Sequence, residues 1–167
     1  LPGGAVTPLL TPSGKSNGLA REGSGTILAA EHEGRRVSRI AGTTVTAVAE
    51  RFEGKRFHSP NDVIAAPDGT IYFTDPPYGL AGRPAELDFN GVFRVDAAGA
   101  VTAEYRGATA KRPNGIAISP DGKTLYVAGG GTSAVYVIDT ATNKVTNVIK
   151  EQMGRRPWGL TVSPDGS

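Results

Sequence analysis

The chain has 167 residues, with 18 basic and 16 acidic side chains and a formal net charge of +2. That balance excludes the basic footprint of a nucleic-acid binder and of a protein drawn to an anionic membrane surface. The absence of cysteine removes disulfides, zinc-thiolate sites and thiol nucleophiles together, and no run approaches the ~18 apolar residues that cross a bilayer.

High glycine and proline content (23 and 12 residues) interspersed with short Val/Ile/Thr/Tyr runs predicts an all-β fold rich in turns. The first segment is SNGLAREGSGTILAAEH from Ser16, followed by candidate strands at 36–40 and 45–49. The second, PNDVIAAPDGTIYFTDP from Pro60, reads as a strand at 63–66, a Pro67-Asp68-Gly69 turn and a strand at 70–74. A Pro-rich loop spans 75–89, and further strands are expected at 91–95 and 101–105. The third, PNGIAISPDGKTLYVAG from Pro113, leads to strands at 134–138 and 144–149. The fourth is PWGLTVSPDGS from Pro157.

The four segments align on Asn17, Asn61, Asn114 and Trp158, with spacings 61 − 17 = 44, 114 − 61 = 53 and 158 − 114 = 44. A glycine follows each anchor at the same offset: Gly25, Gly69, Gly122 and Gly166. Four short strands per repeat of this length predict β-propeller blades, at about 14–57, 58–110 and 111–154, with the start of a fourth at 155–167. No stretch has a helical period. Propellers close with four to eight blades. The chain therefore reads as a single partial domain, about three and a half blades of a longer propeller. It begins at Leu1 without Met and stops after an Asp-Gly turn, so both ends read as cut. The compartment of this expected soluble protein stays open between cytoplasm, periplasm and secretion.

At equal repeat positions the anchors should start the innermost strand of each unit and face one axis. Asn17, ahead of a glycine, reads as a turn residue. Asp68, Asp121 and Asp165 read as hairpin-turn residues, and Asp75 as a loop cap. His32 and His58 read as surface or loop residues, since no Gly-x-Ser-x-Gly elbow accompanies them. Arg35-Arg36 and Arg155-Arg156 read as solvated edge charges. Trp158 is expected to pack between blades or in the channel. Asp62 is a candidate substrate contact. Tyr78 either lines the channel mouth or packs on Pro77.

The blocks GKSNGLA, EHEGRRVSRI, HSPNDVIAAPDGTIYFTDPPYGL and KRPNGIAISPDGKTLYVA resemble the senescence marker protein/gluconolactonase family over about 14–128. The SPND…YFTDPPYG block resembles the bacterial gluconolactonase branch. From 129 onward, AVYVIDTATNKVTNVI and RRPWGLTVSPDG are similar to a generic YVTN-type repeat, which implies no enzyme. The resemblance implies a six-bladed propeller that hydrolyses sugar lactones with one divalent metal, usually calcium, in its channel. Carried over by residue, it makes Asn114 a metal ligand and turns Asn61 toward both metal and substrate. A first-blade glutamate ligand would fall before Leu1. The remaining ligand and general base, an aspartate, would fall on Trp158, which leaves the catalytic base unassigned. The expected function is a lactone hydrolase acting on a small sugar lactone. The alternatives are a non-catalytic propeller scaffold for a ligand or a protein, and a hydrolase of related esters or phosphoesters.

Overall fold

The computed structural model describes residues 3–23, 25–108, 111–151 and 154–166. The first sheet consists of β1 (Ser16–Glu22), β2 (Thr26–Glu31), β3 (Arg36–Ala41) and β4 (Thr44–Ala49). A small hairpin follows, β5 (Arg51–Phe52) with β6 (Lys55–Arg56). The second sheet is β7 (Val63–Ala65), β8 (Ile71–Asp75), β9 (Asn90–Val95) and β10 (Val101–Gly107). The third is β11 (Pro113–Ile118), β12 (Thr124–Gly129), β13 (Ala134–Asp139) and β14 (Lys144–Ile149). Each four-stranded sheet is an antiparallel meander in chain order. These are the blades of a β-propeller, as the repeat predicts. The helical content of the described residues is one 3-10 turn, Pro77–Gly79, and among them no helix is long and apolar enough to cross a membrane.

One turn is built repeatedly from the same chemistry. Gly25, Gly69, Gly122 and Gly166 all have φ between +72° and +92°, a region closed to most side chains. Gly122 N–H donates to Ser119 O and Gly166 N–H to Ser163 O, each at 2.9 Å. Asp121 and Asp165 each accept from a serine hydroxyl at 2.6 Å, and Asp68 accepts from Thr70 N–H at 2.9 Å. The aspartates read from sequence as turn residues are turn residues.

The core lies between blades. β8 is buried along its whole length and serves both neighbours by alternation. Ile71 and Phe73 face the first sheet, in a cluster with Leu28, Val37, Phe57 and Phe93. Tyr72 faces the third, with Ile116, Leu125 and Ile138. Phe57, Phe73 and Phe93 are fully buried, and their ring centroids lie 5.0–5.3 Å apart.

Three expectations are corrected. The β5–β6 hairpin arises where none is expected; its turn, Glu53-Gly54, has φ of +51° and +79°, as a type I′ turn requires. Arg35 is not a solvated edge charge. It is buried, donates from Nε to Phe57 O at 2.6 Å and lies 3.5 Å from Glu86. Its neighbour Arg36 bonds the buried Glu31 at 2.9 Å. Residues 155–166, where the first strand of a fourth unit was expected, carry no strand.

Phe93→Ala should lower the free energy of unfolding by about 3–5 kcal/mol. Val148→Ala on the exposed β14 should cost less than about 0.5 kcal/mol. Urea denaturation of both variants measures this, and equal losses would mean that the aromatic cluster is not what joins the first two blades.

Candidate binding cavity at the inner strand ends

The anchors lie where the strand ladders break. β1 pairs with β2 at Ser16 and again from Leu19, so Asn17 and Gly18 sit in the register shift between. β11 pairs with β12 at Pro113 and again from Ile116, which leaves Asn114 and Gly115 in the same place. Asn61 and Asp62 immediately precede β7. Such irregularities free a side chain to turn away from its sheet. Here the three asparagines form a continuous chain across the blades. Asn17 Nδ2 donates to Asn61 Oδ1 at 2.7 Å, and Asn61 Nδ2 donates to Asn114 Oδ1 at 2.6 Å. Asn17 is thus part of the cluster rather than a turn residue.

The position after each anchor sets the distance between inner strands. Gly18 N–H donates to Asn61 O at 2.8 Å, and a Cβ on Gly18 would meet Asp62 Cα at 2.6 Å. A Cβ on Gly115 would meet Gly159 Cα at 2.9 Å. In the second blade this position is Asp62, which reaches across instead. Its Oδ2 accepts from Ile116 N–H at 2.9 Å and its Oδ1 from Val63 N–H at 3.0 Å. Burial raises the Asp62 pKa, and those two backbone donors oppose the rise. Thr74 adds a second tie, donating from Oγ1 to Asn114 O at 2.7 Å.

The anchors line a cavity of about 900 Å³ together with His32, Asp62, Tyr78, Arg112, Arg156 and Trp158. His32, in the turn that follows β2, is a loop residue as expected, but half-buried against the cavity rather than at the surface. Its Nε2 lies 3.2 Å from Asn61 Oδ1 and 3.3 Å from Asn17 Nδ2, so it donates to the first or accepts from the second according to tautomer. Burial holds its pKa below the ordinary imidazole value, opposed by the bond to Asn61. The backbone of Gly79 presses on the ring, and a Cβ there would meet His32 Cγ at 2.6 Å.

Arg83 secures the long loop of the second blade across this point. Its guanidinium donates to the carbonyls of His32, Glu33, Gly79 and Leu80 at 2.8–3.0 Å. Tyr78, on the 3-10 turn of that loop, lines the cavity mouth, with its hydroxyl 3.4 Å from Arg112 O. Trp158 also lines the cavity, and with 70% of its surface exposed it is not packed between blades.

The remaining carboxylate and imidazole near the site are structural. Asp75 is fully buried and accepts from the N–H groups of His58 and Ser59 at 2.8 and 2.7 Å, fixing the segment that leads to Asn61. It is the cap expected from sequence. His58 is buried rather than solvated, with Nδ1 3.2 Å from Asn90 Oδ1 and Nε2 3.0 Å from Leu87 O.

A family model for the SMP-30/Gluconolactonase/LRE-like region matches residues 4–167. The chain belongs to this family. It is 34% identical over 185 aligned positions to a gluconolactonase of Zymomonas mobilis, an alignment covering 99% of this chain and 50% of that protein. It thus spans about half the length of that relative. A gluconolactonase structure from Xanthomonas campestris superposes with a TM-score of 0.82 at 30% identity, covering 95% of this chain and 56% of that one. A structure described as a putative gluconolactonase gives 0.78 at 30% identity, covering 96% and 64%.

The family's expected metal can be tested against these donors. Asn61 and Asn114 offer neutral amide oxygens, which suit a hard cation. Both oxygens accept from neighbouring amides, and each Asp62 oxygen accepts one backbone N–H, which turns the carboxylate toward Val63 and Ile116. Among the described residues no group of three His, Cys, Asp or Glu could hold a metal ion. The pair of amides therefore fits part of a calcium site and leaves the ion's charge unmatched.

Burial pushes the Asp75 carboxyl from its ordinary 3.8 up to about 6, against the pull of the His58 and Ser59 N–H groups. An acid whose pKa rises on folding stabilises the fold at low pH, and that contribution is lost as pH rises through about 6. Relative to Asp75→Asn, the wild type should therefore gain stability between about pH 7.5 and about pH 4.5. Taking the difference removes the opposite contribution of His32. Parallel pH profiles in urea denaturation would show that Asp75 does not titrate in this way.

Proposed function

We propose that the propeller containing this chain hydrolyses sugar lactones, and that the cavity of Asn17, Asn61 and Asn114 holds the substrate. The observation that carries this reading is the convergence of three amides on one cavity in a chain 34% identical to a gluconolactonase. Amides pair each a donor with an acceptor, which suits vicinal sugar hydroxyls. Among the described residues, Asn17 Oδ1 and Asn114 Nδ2 end the chain without a hydrogen bond, leaving an acceptor at one end and a donor at the other. Tyr78 and Trp158 add aromatic faces against which the apolar face of a sugar ring packs.

Calcium would be held in part by Asn61 and Asn114, where it would polarise the lactone carbonyl. The chain's own residues bind and orient. Asn61 sits at the centre of the amide chain and touches His32, so it faces substrate as well as metal. Asp62 serves this site as a wedge between blades, because both its oxygens are engaged. A specific observation favours a second reading, a non-catalytic ligand-binding propeller. An indole stands at Trp158, where the resemblance places a carboxylate, and an indole donates a hydrogen bond but cannot ligate a hard cation.

In the complete protein, Asn114→Ala should weaken calcium binding and lactone opening together, each by roughly tenfold or more. Asn61→Ala should reduce turnover more than calcium affinity. This chain should bind calcium weakly or not at all, and Trp158→Asp should tighten it. Calorimetric calcium titration and proton release from glucono-δ-lactone measure these effects. Tight calcium binding by the unmodified chain, or no gain from the aspartate, would move the site elsewhere.

A further inference from the structure

Two cations on the cavity wall have no part in the scheme above. Arg112 and Arg156 stand two residues before Asn114 and Trp158, and 156 − 112 = 44 residues apart, the spacing of those anchors. Each precedes a proline. The matching position is Ser59 in the second unit and Lys15 in the first, where Lys15 lies 3.8 Å from Glu33. Arg35, Arg36, Arg39, Arg51 and Arg106 have a carboxylate within 4 Å, whereas Arg21, Arg56, Arg83, Arg94 and Arg155 have none among the described residues. Among those residues neither Arg112 nor Arg156 has one, and neither guanidinium makes a hydrogen bond. What sets Arg112 and Arg156 apart is that they line the cavity.

Both arginines act on the cavity. Their charges oppose the burial that raises the pKa of the Tyr78 phenol. Arg112 is fixed through its main chain, its carbonyl accepting from Gly130 N–H at 2.9 Å. Arg156 has φ of +57°, as its repeat counterpart Lys15 has φ of +53°. The one carboxylate on the wall, Asp62, is turned to the N–H groups of Val63 and Ile116 and pairs with neither arginine. Both guanidinium groups line one cavity and both act on the Tyr78 phenol, so an anion held there meets two cations. The planar fork of arginine matches carboxylate and phosphate oxygens in pairs.

We propose that Arg112 and Arg156 form a subsite for the anionic end of a polyhydroxylated ligand, a carboxylate or a phosphate, beside the asparagine chain. The polyhydroxylated part of this proposal rests on the sugar-lactone reading. The anion has two possible sources: the carboxylate freed when a lactone ring opens, or an acidic substituent already on the substrate.

Calorimetry on this chain tests the proposal with D-gluconate, sorbitol, 6-phosphogluconate and inorganic phosphate. D-gluconate and sorbitol have the same carbon-chain length and differ in the carboxylate. D-gluconate should bind roughly tenfold or more tighter than sorbitol, with an affinity that falls as salt rises. Arg112→Gln and Arg156→Gln should each bring D-gluconate toward the sorbitol value, and Arg→Lys should restore part of the difference. Both side chains are exposed, and circular dichroism verifies folding. If a variant does not fold, the comparison in the wild type still decides.

Inorganic phosphate should bind and compete with D-gluconate. Tighter binding of 6-phosphogluconate than of D-gluconate assigns the subsite to an acidic substituent, and equal binding assigns it to the freed carboxylate. D-gluconate bound no tighter than sorbitol, or unaffected by the glutamine variants, overturns the proposal. Lactone opening measured on the complete protein separates the two readings. Arginine-dependent D-gluconate binding without lactone opening keeps the subsite and removes the hydrolase. Lactone opening without anion preference does the reverse.

Discussion

The close approach of neighbouring inner strands is the constraint on which the site depends. Gly18 N–H reaches Asn61 O at 2.8 Å only because position 18 has no Cβ. Gly115 allows the same approach to the backbone of Gly159. At this separation, asparagines that start successive blades hydrogen-bond to one another, and three residues far apart in sequence become one polar surface. Asp62 performs the complementary task in the second blade, where a carboxylate bridges to the next strand in place of a bare backbone.

The same constraint explains where the acidic groups are. Glu31 is held by Ser38 and Arg36, Asp62 by two backbone amides, and Asp75 by two more. These carboxylates join strands and fix loops, and the described cavity is lined by amides, an imidazole, aromatic rings, two arginines and one carboxylate, Asp62, that is turned to the backbone. A surface of this kind recognises hydroxyls through the amides and an anion through the arginines. The solved gluconolactonases that superpose on the chain share its fold at 30% identity.

The fold was legible because repeats constrain many positions at once. One glycine offset located four turns, and each of those glycines has a positive φ. The convergence of Asn61 and Asn114 was legible in the equal repeat positions. The repeat places Asn17 with them, but its local chemistry misled, because Asn-Gly is a common turn pair and a turn and a break in a ladder look alike in sequence. His32 was missed for a related reason. Its partners Asn17 and Asn61 lie 15 and 29 residues away, beyond what local sequence shows. Arg35 and His58 look solvated in sequence because their carbonyl, carboxylate and amide partners lie between 22 and 51 residues away. The Arg112–Arg156 pair is invisible to charge counting and appears only when both are referred to the anchors that follow them.

The most direct test of the account is a crystal structure of the chain grown with D-gluconate. The account predicts ligand density against Asn17, Asn61 and Asn114, with the sugar chain beside Trp158 and the carboxylate between Arg112 and Arg156. Ligand bound away from the asparagine chain, or a cavity in which the three amides no longer bond to one another, would contradict it.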